Sequence, residues 1–319
     1  MKGDMMKICI IDAKCFITDE HLIEPLYQIG EISVFYGTPE SIEEVVARAH
    51  DADVIMFALM QFTNEMLDSL PNLKVLQFIG TGMWNFVDVE YANQKGIEVL
   101  NIEGYGNNAV AEFALSCAFS LARKITAADK NLKERKWTQE NMEGIEIEGS
   151  VLGVIGTGNI GSIVAKKASL LGADVLACDI YESEELKTKY NIRYVPFEEI
   201  FSKSDIISLH MKATKENEGI ISRELLSLMK ENSYFINVAR AELVDNEALY
   251  ELLKSGKISG AAVDVYDCEP PEDYRLSDLP NVIATPHIGF YTSKANNNSI
   301  IMSVNSVVKA FKDSITIKL

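Results

Sequence analysis

The segment from Val151 to Asp179, VLGVIGTGNIGSIVAKKASLLGADVLACD, constrains the fold more than any other part of the chain. It begins with a short, mostly β-branched run, Val151 to Ile155, which is typical of a buried parallel strand and leads directly into a glycine-rich turn. Apolar residues then recur at helical spacing up to Gly172, which is placed to cap the helix, and a second strand follows from Asp174 to Cys178. The segment therefore predicts a strand, a tight turn, a helix and a second parallel strand.

The turn contains Gly156, Gly158 and Gly161 at the spacing that suits a pyrophosphate. The first glycine permits the tight turn, the second lets the backbone approach a phosphate, and the third lets the helix pack closely on the strand. Asn159 and Ile160 lie within the same turn and are assigned to the same site. The pyrophosphate would lie at the N-terminus of the helix.

Asp179 ends the second strand at about the 20-residue distance expected for a carboxylate that binds the hydroxyls of an adenosine ribose. No Arg or Lys follows it before Lys187, so a 2′-phosphate would be repelled, which favours NAD over NADP. The alternative is a purely structural turn with Asp179 solvated. The complete order of strand, turn, helix, strand and acid favours the dinucleotide site.

Composition limits the partners and the compartment. The 319 residues suffice for about two domains, and the net charge of −17 argues against a nucleic acid or an anionic membrane surface as partner. The five cysteines are scattered and the four histidines do not cluster, so we expect a reducing, cytoplasmic compartment and no metal site. No signal peptide or membrane-spanning stretch is apparent.

Strand and helix patterns alternate on both sides of the central segment, which predicts two α/β units with parallel sheets. The first hundred residues contain strand candidates at 7–12, 32–36, 53–58, 74–78 and 97–100. A larger unit, from about 102 to about 287, adds candidates at 205–210, 234–238, 260–265 and 281–284. The tail, Ser293 to Lys312, reads as a helix.

Two further segments have alternative interpretations. The turn Gly80 to Met83 could present exposed amides to a carboxylate, or it could be a simple turn. The helix predicted from Ala111 to Lys130 is apolar around most of its circumference, which indicates burial at a domain or subunit interface or in the core.

Three charged or titratable residues follow predicted strands, at the edge where open parallel sheets bind ligands. Arg240 follows YFINVA, Glu269 follows AAVDVYDC and His287 follows NVIATP. An arginine can bind a carboxylate and a neighbouring oxygen together, a histidine can move a proton near neutral pH, and a glutamate can fix its tautomer. Each residue alone could be an ordinary surface or loop residue. Asp264, inside an apolar strand, is a buried carboxylate that needs a partner.

Four segments together resemble the D-isomer-specific 2-hydroxyacid dehydrogenases, the family of phosphoglycerate, glycerate and D-lactate dehydrogenases. GVIGTGNIG with Asp179 is similar to the cofactor turn of the family, and NVAR, which ends at Arg240, is similar to its catalytic-arginine segment. AAVDVYDCEP (261–270) and TPHIG (285–289) are similar to its Asp and Glu segment and to its catalytic-histidine loop. The resemblance covers nearly the whole chain.

The resemblance implies an α/β protein with two Rossmann-like or flavodoxin-like domains and parallel sheets. An NAD-binding domain, residues 102–287, would be inserted into a discontinuous substrate domain, residues 1–101 and 288–319. It also implies an NAD-dependent enzyme that interconverts a D-2-hydroxy acid and its 2-oxo acid by hydride transfer. A homodimer formed through the NAD-binding domain is expected as well.

The same resemblance assigns roles to individual residues. Arg240 would bind the substrate carboxyl and carbonyl groups, His287 would transfer the proton, and Glu269 would hold His287. Asp264 would hold the nicotinamide carboxamide. The residues assigned to the substrate carboxylate are Thr81, Gly82 and Met83, and those added to the cofactor site are His210 and Ala239.

The chain departs from the family pattern at several positions. Ala241 stands where a Gly often follows the catalytic Arg, and Lys212 stands where a Pro often follows the LH pair. The segment ALMQFT (58–63) has no cation, unlike the phosphoglycerate enzymes. We therefore expect a non-phosphorylated substrate whose apolar side chain lies against Leu59, Met60 or Trp84.

A second class of function is an NAD(H)-sensing binding protein, like the corepressors that resemble this family, in which NAD binding drives dimerisation. The intact set of Arg240, Glu269 and His287 and the acidic composition favour the enzyme. A formate-dehydrogenase-like function is disfavoured, because those relatives have Gln at the position of Glu269.

Overall fold

The computed structural model describes residues 5–13, 17 and 19–316. The chain divides into two compact units, one formed by Met1–Gly106 with Tyr291–Leu319 and the other by Asn107–Phe290. These bounds lie within a few residues of the predicted ones at 101 and 287. Among the described residues, no helix is both long enough and apolar enough to cross a membrane.

The first unit contains a parallel sheet in the order β2-β1-β3-β4-β5. Its strands are β1 (Met6–Ile10), β2 (Gly30–Val34), β3 (Val54–Phe57), β4 (Val75–Phe78) and β5 (Glu98–Leu100). This is the strand order of a flavodoxin-like doubly wound fold. The strands β3 and β4 are buried along their whole length, as expected for a sheet covered on both faces.

Helices and 3₁₀ turns flank this sheet. They are a 3₁₀ helix (Glu20–Gln28), α1 (Ile42–Ala49), α2 (Asn64–Asp68), a 3₁₀ turn (Met83–Asn85), α3 (Val89–Gln94) and the tail helix α11 (Ser293–Thr316). The tail helix contacts the Glu20–Gln28 helix and β4, so it completes the first unit although it follows the second in sequence. It extends a few residues beyond the predicted end at Lys312.

The second unit contains a parallel sheet in the order β12-β11-β10-β9-β6-β7-β8. Its strands are β6 (Val151–Ile155), β7 (Asp174–Cys178), β8 (Arg193–Tyr194), β9 (Ile206–Leu209), β10 (Tyr234–Asn237), β11 (Gly260–Val263) and β12 (Val282–Ala284). The order reverses at β6, as in Rossmann folds. The predicted bounds of β6 and β7 are confirmed, whereas β8 is too short to have produced a pattern.

The helices of the second unit are α4 (Asn107–Ala122), α5 (Ile125–Lys133), α6 (Gly161–Leu170), α7 (Glu184–Tyr190), α8 (Phe197–Lys203), α9 (Arg223–Ser227) and α10 (Asn246–Lys254), with a 3₁₀ turn at Ala241–Leu243. The α6 helix ends as predicted, because Gly172 adopts a left-handed conformation with φ of +87° just after it.

The single helix predicted from Ala111 to Lys130 is wrong. Lys124 adopts a left-handed conformation with φ of +51° between α4 and α5. The Ala122 carbonyl accepts the Ile145 N–H at 2.9 Å, so a distant segment satisfies the end of α4. Most of the apolar surface of α4 is buried within its own unit, against α6, β10 and β11. Core burial therefore explains most of that surface, but Phe119 remains 38% exposed.

Candidate active site

The candidate residues of the second unit lie at the carboxyl ends of its parallel strands. Across the sheet they are His287 after β12, Asp264 and Glu269 after β11, Arg240 after β10, His210 after β9, the glycine turn after β6 and Asp179 after β7. The three strands that precede Arg240, Glu269 and His287 are direct neighbours. Residues far apart in sequence thus share the sheet edge that binds ligands in such folds.

The glycine turn has the geometry that a pyrophosphate requires. Gly156 has φ of +85°, and a Cβ added there would lie 2.9 Å from the His210 carbonyl group. A Cβ at Gly161 would lie 1.8 Å from the Gly156 carbonyl oxygen, so packing requires both glycines. A Cβ at Gly158 would meet no atom within 4 Å. The backbone is therefore open at Gly158, where a phosphate would approach it.

Asn159 is exposed and Ile160 is half-buried, packed against the core, directly before α6. Both therefore lie at the N-terminus of the helix, where the orphan amide groups of its first turn point. The structure thus brings these two residues to the same place as the glycine turn.

Asp179 is fixed against this turn. Its Oδ2 accepts the Thr157 N–H at 2.5 Å and the Thr157 hydroxyl at 3.2 Å, and its Oδ1 accepts the Tyr181 N–H at 3.0 Å. The Tyr194 hydroxyl lies 2.9 Å from the Thr157 hydroxyl. Sequence reasoning missed Thr157 and Tyr194. The position of Thr157 inside the glycine turn was an available signal, whereas Tyr194 lies on the short β8 and gave none.

His210 lies at the end of β9, where its Nε2 is 2.8 Å from the Ser208 hydroxyl. Burial lowers the pKa of His210 to about 3, so its imidazole is neutral near pH 7. A Cβ added at Gly156 would lie 2.9 Å from the carbonyl group of His210, so this residue lies beside the glycine turn. It is therefore a neutral group of the turn and carries no charge that could attract a phosphate.

The turn that carries Arg240 is held by a buried amide. The Asn237 side chain accepts the Ala239 N–H at 3.0 Å and donates to the Arg240 carbonyl at 2.9 Å. The Arg240 guanidinium donates from Nη1 to the Ala239 carbonyl at 2.7 Å, and Ala241 is buried behind it. Asn237 thus fixes the backbone from which Arg240 projects, a role that the sequence did not reveal.

Glu269 and His287 form a direct pair. The distance from His287 Nδ1 to Glu269 Oε2 is 2.7 Å, and both side chains remain slightly more than a third exposed. Partial burial acts to raise the pKa of Glu269, but the hydrogen bond and charge of His287 outweigh it, with a smaller influence of Arg240. The net pKa of Glu269 is therefore lower than usual, and the group is ionised at neutral pH.

The loop that carries His287 is held by Asp264, whose side chain is 2% exposed. Its Oδ1 accepts the Thr285 hydroxyl at 2.6 Å and the Ile288 N–H at 2.9 Å, and its Oδ2 accepts the Gly289 N–H at 2.7 Å. His287 has φ of +53°, a left-handed conformation that is uncommon for a residue with a side chain. The sequence predicted that the buried carboxylate needs a partner, and the structure shows that this partner is the loop that carries His287.

Tyr266 connects the segment of Glu269 to the loop of His287, and sequence reasoning missed it. Its N–H donates to Glu269 Oε1 at 3.1 Å, and its hydroxyl donates to the Thr285 carbonyl at 3.0 Å. It thereby contacts both the segment of Glu269 and the loop of His287. No local pattern distinguishes this tyrosine from any aromatic residue after a strand.

The first unit contributes a second candidate site at the end of β4. Gly82 has φ of +90° and begins the Met83–Asn85 turn, and the Thr81 hydroxyl donates to the Ile102 carbonyl at 2.9 Å. Within the described part of the chain, the amide groups of Thr81, Gly82 and Met83 have no hydrogen-bond acceptor. Unlike the expected exposed turn, Gly82 is buried.

Two exposed apolar side chains lie near this turn, on segments that Phe62 connects by donating its N–H to the Phe86 carbonyl at 2.7 Å. Leu59 is 47% exposed and Trp84 is 55% exposed. Met60 is 6% exposed and packs in the core, so of the three residues expected beside a substrate side chain Leu59 and Trp84 are the exposed ones.

Comparison with known proteins decides the family. Residues 115–289, more than half of the chain, match the model of the NAD binding domain of D-isomer specific 2-hydroxyacid dehydrogenases. The chain belongs to this family. Its predicted membership and its predicted α/β fold with two parallel sheets are therefore confirmed, and the second unit contains the NAD-binding domain of a D-2-hydroxyacid dehydrogenase.

Similar proteins of the family differ in activity and length. The hydroxypyruvate reductase of Thermotoga maritima is 38% identical over 86% of this chain and 90% of its own. The D-3-phosphoglycerate dehydrogenase of Methanocaldococcus jannaschii is 36% identical over 94% of this chain, but this match spans only 57% of the relative. The crystal structure of a D-lactate dehydrogenase from Aquifex aeolicus with NAD and lactic acid is 30% identical, with a TM-score of 0.79 over 97% of this chain and 96% of that one.

Proposed function

We propose that the protein is an NAD-dependent dehydrogenase that interconverts a D-2-hydroxy acid and its 2-oxo acid. The observation that carries the proposal is the Glu269–His287 pair, 2.7 Å apart on neighbouring strand ends of the NAD-binding unit. Reduction of a 2-oxo acid leaves an alkoxide that must receive a proton, and this pair is suited to supply it.

The second unit accommodates the cofactor. NAD, when bound, supplies or accepts the hydride. The open backbone at Gly158 would bind the pyrophosphate, and Asp179, held in place by Thr157, would bind the adenosine ribose. The same carboxylate would repel a 2′-phosphate, so we propose NAD in preference to NADP.

His287 would move the proton through Nε2, because its Nδ1 faces Glu269. In the reducing direction the protonated ring donates to the developing alkoxide, and in the oxidising direction the neutral ring takes the proton of the hydroxyl group. Ionised Glu269 accepts from Nδ1 and thereby fixes the orientation of the ring. Asp264 would keep the loop in place, and its contact with the nicotinamide carboxamide stays a prediction.

Arg240 would bind the substrate carboxylate and the carbonyl oxygen through its planar guanidinium. In the first unit, the amides of Thr81, Gly82 and Met83 would bind a carboxylate, since they have no acceptor among the described residues. The side chain of the substrate would lie against the exposed Leu59, and it would be apolar and unphosphorylated because the segment 58–63 offers no cation.

We also propose a homodimer in a reducing, cytoplasmic compartment. Phe119, Leu170 and Leu171 are exposed apolar residues on α4 and at the end of α6, around a shallow hollow of about 490 Å³. This face of the NAD-binding unit is suited to a second copy. The free thiols of the four described cysteines support the compartment. Light scattering would measure the molar mass of wild type and of Phe119→Glu in solution. We expect wild type to be a dimer and the variant to be a monomer.

The activity is tested by measuring NADH oxidation with a panel of 2-oxo acids, using wild type and His287→Ala. We expect turnover by wild type and a loss of about 10²–10⁴ in the variant, with NADH binding retained. His21→Ala is a matched control, because the exposed His21 forms the same 2.7 Å contact with Glu24 at the surface of the first unit. NADH binding without turnover of any acid would contradict the enzyme and favour an NAD(H)-sensing protein.

A further inference from the structure

A buried carboxylate in the first unit holds three successive amide groups. Asp12 lies two residues beyond β1, and its side chain is fully buried. Its Oδ1 accepts the Ala58 N–H at 2.9 Å. Its Oδ2 accepts the N–H groups of Leu59 at 2.6 Å and Met60 at 3.3 Å. One side chain therefore fixes the direction of the whole Ala58–Met60 segment.

This segment follows β3, the neighbour of β1 in the sheet, so it lies at the edge where ligands bind in parallel folds. Ala58 and Met60 are each 6% exposed, whereas Leu59 between them is 47% exposed. The carboxylate holds the amide of Leu59 and those on either side of it. Leu59 is thus directed outward by a fixed backbone.

Burying the charged carboxylate of Asp12 costs more free energy than burying a neutral side chain. Burial is the largest influence on its pKa and raises it, and the three amide bonds and the charge of Arg48 lower it only in part. Among the described residues no cation pairs with this carboxylate, since Arg48 donates to the Ile11 carbonyl at 2.8 Å. A neutral side chain would be buried more readily, so the carboxylate is best explained by the amides that it arranges.

We propose that Asp12 is a positioning residue that sets the preference for the substrate side chain by fixing Leu59. The inference rests on the proposed function, in which Leu59 contacts the side chain of the 2-oxo acid. Asp12 acts through the Ala58–Met60 backbone and contacts neither substrate nor cofactor. Its loss should weaken discrimination between long and short side chains while His287 and its loop remain unaffected.

The test is a double-mutant cycle with Asp12→Asn, Leu59→Ala and the double variant. We would measure kcat and KM for 2-oxo acids of increasing side-chain length. Each single variant should reduce the ratio of kcat/KM between the preferred apolar acid and the shortest acid by about tenfold. The double variant should lose no more than either single variant, because both act through Leu59. Additive losses would overturn the proposal.

Asp53→Asn is the matched control. Asp53 also accepts a backbone N–H, that of Lys7 at 2.9 Å, but at the amino end of β3. The Asp53→Asn variant should leave the preference for the substrate side chain unchanged. Amide hydrogen exchange at Ala58, Leu59 and Met60 should accelerate in Asp12→Asn and stay at the wild-type rate in Asp53→Asn.

A second pair of variants tests the same bond if Asp12→Asn does not fold. Leu59→Pro removes the N–H that Asp12 accepts, whereas Leu59→Ala keeps it. Faster exchange at Met60 only in Leu59→Pro supports the proposal, and equal exchange in both overturns it. Wild type without turnover would contradict the proposed function, whereas wild-type turnover with an unchanged preference in Asp12→Asn contradicts this inference alone.

Discussion

In the first unit, Asp12 follows β1 and accepts amides of the segment after β3. In the second unit, Asp264 follows β11 and accepts amides and a hydroxyl of the loop after β12. Each carboxylate lies at a strand end and holds the loop of the neighbouring parallel strand. The held loops differ, because one presents an apolar leucine and the other a titratable histidine.

The same backbone arrangement thus holds a residue that we propose for side-chain preference in one unit and a residue that we propose for proton transfer in the other. A parallel sheet places consecutive strand ends side by side, so a carboxylate on one strand can reach the amides of the next loop. What the loop carries then determines the effect of losing the carboxylate.

Asp264→Asn should reduce kcat by about 10² for every 2-oxo acid, because a small displacement of His287, the proposed proton donor, would have an effect of that size. The order of preference among the acids should not change. Steady-state kinetics over the same panel, with Asp12→Asn beside it, measures both properties. If Asp264→Asn altered the order of preference and left kcat unchanged, the two carboxylates would not differ in the way proposed here.

Glu269→Gln should slow reduction about tenfold, because it replaces the carboxylate that orients the His287 ring through Nδ1. The surface pair supplies the control, Glu24→Gln, which should leave the rate unchanged. Steady-state kinetics with one 2-oxo acid measures both variants, and an unchanged rate in Glu269→Gln would contradict this role.

Gly158→Ala should weaken NADH binding severalfold without lowering the melting temperature. The added Cβ meets no protein atom within 4 Å and therefore obstructs only a ligand. Gly37→Ala is the control in the first unit, where a Cβ would make only an ordinary 3.8 Å contact with Arg48. Fluorescence titration with NADH measures both variants, and unchanged affinity in Gly158→Ala would place the pyrophosphate elsewhere.

Asp12→Asn should show the smallest effect, a pH-dependent change in stability. The raised pKa of Asp12 means that its stabilising contribution is fully present below the unfolded value of about 3.8 and is lost as the pH rises through the folded value. Asparagine does not titrate, so the melting temperature of wild type should gain roughly 2–4 °C on that of the variant as the pH falls. Calorimetry at several pH values measures the two melting temperatures. A wild-type melting temperature that rose relative to that of the variant toward neutral pH would contradict this prediction.

Much of the fold and part of the site followed from the sequence. The bounds of β6 and β7, the glycine turn and the strand-end positions of Arg240, Glu269 and His287 were predicted, because periodicity and turn residues act locally. The sequence did not separate Met60 from Leu59, because both are apolar and only the packed sheet decides which of them is buried.

The family, the alternation of strands and helices, and the residue types at the strand ends can be read from the amino-acid sequence. The hydrogen-bond partners of those residues depend on the tertiary fold. Asp12 bonds to Ala58, 46 positions away, and the Asp264 carboxylate bonds to the histidine loop 21 to 25 positions away. Such bonds depend on which strands become neighbours, and that order is set by packing both faces of each sheet, which no local pattern encodes.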